Sequence, residues 1–291
     1  MFTWVEVSEK AIRFNIQQFK KFVGEKAVMP VVKANAYGHD IELIAKICDT
    51  DKNVSKICVV NSDEAEKLLA LKIKKPILIL SFYTEEKNKL KELIKRGVEF
   101  PVYRFDQINL LNEAAKAVNR KVKIHLKIDT GTSRIGFLSK DLPKIIEQIN
   151  NVKYIKTEGV FSHFASSEEN SAYTIKQNNT FKKAVKTLED GGVCLKQKHM
   201  SCTSASLGFK FDNLNAIRLG LGLYGLYPDK KSCKKITLKP ALTWKTKVIQ
   251  VKNIPKNTSV GYGGSFTTKK TTKLATLPVG YYDGYTRSLS N

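Results

Sequence analysis

Short runs of apolar and β-branched residues alternate along most of the chain with segments whose apolar positions recur every three or four places. Eight runs read as strands: 28–33, 57–61, 76–81, 99–103, 122–128, 155–161, 199–202 and 216–219. Amphipathic segments lie between them, at 41–48, 63–71, 87–94, 106–118, 141–149 and 173–188. In the first of these, Ile41, Leu43, Ile44, Ile47 and Cys48 share one side of a helix. Strands that are apolar on both faces and separated by helices predict a parallel sheet covered by helices. Eight such units predict a (β/α)8 TIM barrel, with a doubly wound open sheet as the alternative. Beyond residue 232 the texture changes. Segments 236–252 and 274–279 read as strands with no helix between them, and 260–264 and 279–284 are rich in Gly and Tyr. The expected division is therefore a barrel domain over 1–232 and a partial β-rich domain over 233–291. The stretch 280–284 looks internal to a fold, so this second domain is expected to lack its C-terminal part.

Composition narrows the class. With 42% hydrophobic and 26% charged residues, the 291-residue chain can bury a core and is not a disordered chain. No apolar run approaches the length of a membrane-spanning helix, and the N-terminus lacks the pattern of a signal peptide, so a cytoplasmic location is expected. Five cysteines without CxxC spacing (Cys48, Cys58, Cys194, Cys202, Cys233) argue against a disulfide framework and a zinc site. The net charge of +23 raises a nucleic-acid or anionic surface as a partner. The lysines are scattered over helix faces, however, and no basic stretch is interleaved with aromatics. The reading is a solvated lysine-rich surface, with neither nucleic acid nor membrane as partner.

The richest stretch for chemistry runs from Met29 to His39, MPVVKANAYGH. A lysine at the end of a buried barrel strand, Lys33, has its ammonium disfavoured and can act as an amine nucleophile or base. A lysine that merely snorkels at a strand end is the plain alternative. Arg134 follows a strand and a glycine turn, and its planar fork suits a small carboxylate. The segment 202–206 offers small residues and hydroxyls where barrels commonly hold phosphate. His163 and His199 are two of four histidines, and Tyr262 lies between glycines; each taken alone is an ordinary structural residue.

Taken together, these strings are similar to the motifs of the alanine racemase family, the fold-type III pyridoxal-phosphate enzymes. VVKANAYGH resembles the family's cofactor-lysine motif and departs from it at Asp40, where the family has glycine. The stretch from Lys127 to Gly136 resembles K-x-D-T-G-M-x-R-x-G, with Thr132 at the methionine. Gly159 to Ala165 resembles G-x-x-x-H-F-A, and Arg218 to Gly225 resembles R-x-G-I-x-L-Y-G. Gly261–Gly263 and Leu277–Gly284 resemble two segments of the family's β-domain.

The resemblance implies an isomerase that interconverts L- and D-alanine with pyridoxal 5′-phosphate and supplies D-alanine for peptidoglycan. It implies Lys33 and Tyr262 as the two bases, Arg134 on the substrate carboxylate, and Arg218 on the cofactor ring nitrogen. It also implies Tyr37, Thr203 or Ser204, Gly220 and Leu221 around the phosphate, with His163 beside the cofactor. Lys127, His199 and Tyr281 would play supporting parts, Lys127 as a carbamylated lysine behind Arg134. A homodimer, with Tyr262 acting across its interface, follows from the same resemblance. A racemase for serine or another small amino acid, or an inactive truncated pyridoxal-phosphate carrier, remains an alternative.

Overall fold

A computed structural model of the chain describes residues 1–289. The chain divides into two compact units: Glu9–Ala241, and a smaller one that joins Met1–Ser8 to the chain from Leu242 onward. The first strand, β1 (Thr3–Val7), belongs to the smaller unit. It pairs antiparallel with a strand near residue 244, matching Thr3 to Thr246 and Val7 to Leu242.

In the larger unit eight parallel strands follow one another: β2 (Ala27–Pro30), β3 (Ile57–Val59), β4 (Ile77–Ile79), β5 (Glu99–Val102), β6 (Val122–Lys127), β7 (Ile155–Phe161), β8 (Gln197–His199) and β9 (Ala216–Leu219). Their order in the sheet is β2-β9-β8-β7-β6-β5-β4-β3. Parallel bridges Val28 to Val54 and Val31 to Cys58 join the two ends, so the sheet closes into the expected barrel. The runs ICV of β3 and ILI of β4 are buried throughout, as strands covered on both faces must be. Met29, Cys58, Leu78 and Ala216 pack together within this core.

All six expected helices are present, as Ile41–Thr50, Ser62–Ala70, Lys87–Lys95, Phe105–Ala117, Leu142–Asn150 and Ser171–Asp190. Asn61 and Asn170 cap two of them by accepting from the Glu64 and Tyr173 amides. Two further helices, Glu9–Val23 and Thr203–Gly208, lie outside the expected pattern.

Three expectations need correction. The strand expected over 28–33 ends at Pro30, because the chain turns sharply after Val32. The strand expected over 199–202 lies earlier, at Gln197–His199. The continuous strand expected over 236–252 is two strands, Leu242–Thr246 and Gln250–Ile254, with 236–241 outside any strand.

The last point explains why the units divide at 241/242 rather than at the expected 232/233. Ile236, Leu238 and Ala241 are buried in the larger unit. Asn15, itself buried in helix Glu9–Val23, ties the segment down. Its amide donates to Leu223 O (3.1 Å) and Lys239 O (2.8 Å), and its Oδ1 accepts from Lys239 N (2.8 Å). Gly225 completes the approach: its φ is +82°, and a Cβ there would lie 1.9 Å from Lys239 O.

The smaller unit is a set of antiparallel pairs. Gln250–Ile254 pairs with Thr272–Thr276, and Ser259–Val260 with Phe266–Thr267. Among the described residues no helix is long and apolar enough to cross a membrane.

Asn15→Ala should lower stability by about 2–4 kcal/mol, since it strands buried backbone groups that have no water to turn to. Urea unfolding measures this. A change within about 0.5 kcal/mol, the range of an ordinary surface substitution, would show that the clamp does not hold the segment.

Candidate active site

The turn that follows β2 is left-handed. Ala34, Asn35, Ala36 and Tyr37 all have φ near +52°, a region that costs non-glycine residues roughly 1–2 kcal/mol each. Local hydrogen bonds hold it. Glu64 accepts from Ala34 N through Oε1 (2.7 Å) and from Val60 N through Oε2 (2.8 Å), lashing the turn to the end of β3. Asn35 Oδ1 accepts from Ile41 N at 3.0 Å. Asp40 has φ +71°, a backbone suited to the glycine that the resembled motif carries. Its carboxylate offsets the strain by capping the next helix, accepting from Glu42 N (2.9 Å) and Leu43 N (3.0 Å).

Lys33 opens this turn. It does not end the strand itself, but it still projects at the C-terminal side of the barrel. It lines a cavity of about 290 Å³ together with Tyr37, Lys127, Arg134, His163, Thr203, Ser204, Arg218, Gly220 and Leu221. Residues from β6, β7 and β9 and the loops after them thus converge on one space. His199 lies below it, fully buried, and Arg218 donates to its Nδ1 at 2.9 Å. Tyr262 and Tyr281 belong to the smaller unit, where Tyr262 is fully exposed and Tyr281 largely so.

The cavity is strongly cationic. Burial, then Arg134 and Arg218, lower the Lys33 pKa against an opposing pull from Glu64. Burial with Arg218 and Arg134 lowers Lys127 to about 7, so its amine is substantially neutral at neutral pH. Its Nζ sits 4.5 Å from the centroid of Phe161, whose ring stacks on His199. Burial and the cations Arg218, Lys127, Arg134 and Lys33 hold His163 down at about 3. Its buried Nδ1 has no hydrogen-bond partner among the described residues. Arg218 is fixed by donating to the carbonyls of Ser162 (2.7 Å), His199 (3.1 Å) and Met200 (3.2 Å).

The proposed phosphate side is built from small groups. Thr203 Oγ1 accepts from Gly222 N at 3.1 Å, which leaves its hydroxyl hydrogen to donate elsewhere. Gly222 has no room for a side chain, because a Cβ would meet the Phe19 ring at 2.4 Å. Tyr37 is held edge-on to Tyr224, with ring centroids 5.5 Å apart, and Tyr224 donates to Val31 O at 2.9 Å. Glu168 at the rim is the one carboxylate lining the cavity among the described residues. Such a donor set, an amine beside guanidinium groups and hydroxyls, fits an anionic aldehyde cofactor and a small carboxylate.

Comparison with known proteins decides the family. The model of the alanine racemase N-terminal domain matches residues 7–228, and that of the C-terminal domain matches 241–291. The chain belongs to the alanine racemase family. An alanine racemase of Methanococcus maripaludis is 37% identical over 99% of this chain and 78% of its own length. Alanine racemase 2 of Caldanaerobacter subterraneus is 39% identical over 99% of this chain and 74% of its own. The solved alanine racemase of Clostridium difficile 630 superposes with a TM-score of 0.87 at 34% identity, covering 99% of this chain and 75% of that one. Members of this family depend on pyridoxal phosphate.

Four residues of the site escape a reading by motif: Glu64, Phe161, His125 and Glu99. His125 and Glu99 extend the buried hydrogen bonding beneath His199. The scarcity of histidine was the available signal for His125. For Glu99 it was a carboxylate opening an apolar strand.

The lowered pKa of Lys127 has a sign that can be measured. Below about pH 7 both folded and unfolded chains carry the proton, and the fold bears the full cost of burying it. Between about pH 7 and 10.5 the unfolded chain holds a proton that the folded chain has shed, so stability rises with pH across this window and the cost of burying the cation is gone above about 10.5. Lys127→Met, compared with the parent chain in carbonate-free buffer, should therefore gain most stability below about pH 7, with a gain that shrinks steadily as the pH rises from about 7 to about 10.5. A gain independent of pH would show that Lys127 is not buried as a strained cation.

Proposed function

We propose that this chain racemises alanine, with pyridoxal 5′-phosphate held in the cationic cavity at the C-terminal side of the barrel. The observation that carries the reading is the convergence of Lys33, Lys127, Arg134 and Arg218 on one cavity lined by hydroxyls and glycine backbone. Tyr37, Thr203, Ser204 and the backbone of Gly220 and Leu221 would hold the phosphate, with His163 beside the cofactor. Arg218 would face the ring nitrogen. Because a guanidinium keeps its protons, that nitrogen would stay unprotonated. When bound, the cofactor supplies a conjugated ring that stabilises negative charge developing at the substrate Cα.

The chain's own residues supply the rest. Lys33, whose ammonium is disfavoured, holds the cofactor when substrate is absent and moves the Cα proton on the face of the D-enantiomer. Arg134 orients the alanine carboxylate through its fork. Lys127, as an amine, can add carbon dioxide with loss of a proton; the resulting carbamate would give Arg134 an anionic neighbour. His199 steadies Arg218. Tyr262 serves the face of the L-enantiomer, with Tyr281 in support. Two bases are required because one side chain does not reach both faces of Cα. Tyr262 would come from the partner subunit of a homodimer, in the cytoplasm. The two bases thus come from different compact units of the fold, barrel and smaller unit.

Borohydride reduction of the cofactor-loaded chain, followed by peptide mapping, should place the pyridoxyl group on Lys33. A label on any other lysine would overturn the site. Tyr262→Phe should slow racemisation by about 10²- to 10⁴-fold, the range for a positioned acid or base. In deuterated water the variant should still exchange the Cα proton of D-alanine and lose exchange of L-alanine. Equal loss for both enantiomers, with cofactor still bound, would contradict the two-base assignment. Faster turnover of serine than alanine by the parent chain would move the substrate assignment within the same chemistry.

A further inference from the structure

A line of buried polar side chains crosses the barrel interior beneath the cavity. Arg218 donates to His199 Nδ1 (2.9 Å), His199 Nε2 meets His125 Nδ1 (2.9 Å), and His125 Nε2 meets Glu99 Oε2 (2.9 Å). Both imidazoles are fully buried, and Glu99 and Arg218 nearly so. The line runs from β9 through β8 and β6 to the first residue of β5. At its far end Glu99 pairs with buried Lys56 through Oε2, and Lys123 Nζ lies 3.7 Å from Oε1.

The barrel is shaped around it. The pairing of β6 with β7 slips between Ile124 and His125, so that His125 stands opposite Gly159. A Cβ at Gly159 would lie 2.7 Å from His125 Nδ1 and 2.6 Å from Gln197 O. The irregularity aims the ring inward, and the missing side chain admits it.

The line has a direction. A guanidinium only donates, so His199 Nδ1 must accept and carries no proton. The proton of His199 is then on Nε2, which donates to His125 Nδ1. His125 in turn carries its proton on Nε2 and donates to Glu99, a carboxylate. Neither imidazole is a cation in this arrangement. The pKa directions agree. Burial lowers both histidines, and the His125 hydrogen bond with the charges around it outweighs burial to bring Glu99 down to about 2.

Lys56 threatens this order. Its Nζ stands 3.5 Å from His125 Nε2, close enough to donate there. If it did, the His125 proton would move to Nδ1, the His199 proton to Nδ1, and His199 would meet Arg218 donor to donor. We propose that Glu99 is a positioning residue for racemisation: by engaging Lys56 and accepting from His125, it fixes the direction of the hydrogen bonds that hold Arg218. The proposal rests on the reading that Arg218 serves the cofactor ring.

The test uses the full chain with ¹⁵N-labelled histidine, of which it has four. Imidazole ¹⁵N spectra report which nitrogen bears the proton, with or without cofactor. In the parent chain near neutral pH, His125 and His199 should both be neutral and protonated on Nε2. In Glu99→Met both protons should move to Nδ1, and kcat should fall about tenfold or more while KM for alanine stays within about twofold. Adding Lys56→Met removes the competing donor, and the double variant should regain the Nε2 pattern and most of kcat. Removing both charges together also leaves neither buried alone, so the double variant should fold even if Glu99→Met does not. Protons on Nδ1 in the parent chain would overturn the proposal. So would a fall in kcat in Glu99→Met without a proton shift, or a double variant that neither recovers the Nε2 pattern nor kcat. Spectra as expected in a parent chain that fails to racemise alanine would instead overturn the proposed function and leave the direction of the line standing.

Discussion

The larger unit is organised around the problem of holding four cationic side chains, Lys33, Lys127, Arg134 and Arg218, at one cavity with a single carboxylate at its rim. Like charges kept close and out of water repel and are poorly solvated. The barrel meets the cost in different ways at different positions. The Lys127 ammonium is held down to about pKa 7, so it sheds its proton near neutrality, and His163 is held down to about 3. Arg218 cannot, and is instead saturated by three backbone carbonyls and a histidine. What remains is a site whose unmet demand is for negative charge, which a phosphate-bearing cofactor with a carboxylate substrate would supply under the proposed function. The same demand explains why hydroxyls and glycine backbone, rather than acids, face the cavity.

Positioning within that site depends on strain held by named groups. Four successive residues in left-handed conformation are not stable by themselves. Glu64 bridges the turn to the end of β3, and Asp40 and Asn35 tie its exit to the next helix. The turn thereby fixes Lys33 and Tyr37 on opposite ends of one rigid five-residue segment, Lys33–Tyr37. Under the proposed function, rigidity of this kind is what Lys33 as cofactor lysine and Tyr37 as phosphate ligand would need.

Much of this was legible in the sequence, and the remainder was hidden for physical reasons. Strands such as ICV and ILI announce themselves because both faces are covered, and the helices do so through their apolar spacing. Strand Thr3–Val7 is not legible in that way, since its partner Leu242–Thr246 lies at the other end of the chain. Over 236–241 the apolar residues Ile236, Leu238 and Ala241 are buried without forming a strand, while Asn15 holds the backbone there through Lys239, a contact between distant parts of the chain. Lys33, Arg134 and Arg218 stand in strings that a family resemblance makes readable. Glu99, His125 and His199 lie on separate strands and become one line only when the barrel closes. Nothing local in the sequence marks them as neighbours.

The central claim is that these residues make an alanine racemase. Polarimetry of an L-alanine solution containing the chain and pyridoxal phosphate tests it most directly. Free enantiomers have equal energies, so the account predicts that the rotation decays to zero and stays there, with equal amounts of each enantiomer, and that Lys33→Ala abolishes the decay. A rotation that holds steady while pyridoxal phosphate is covalently bound at Lys33 would contradict it.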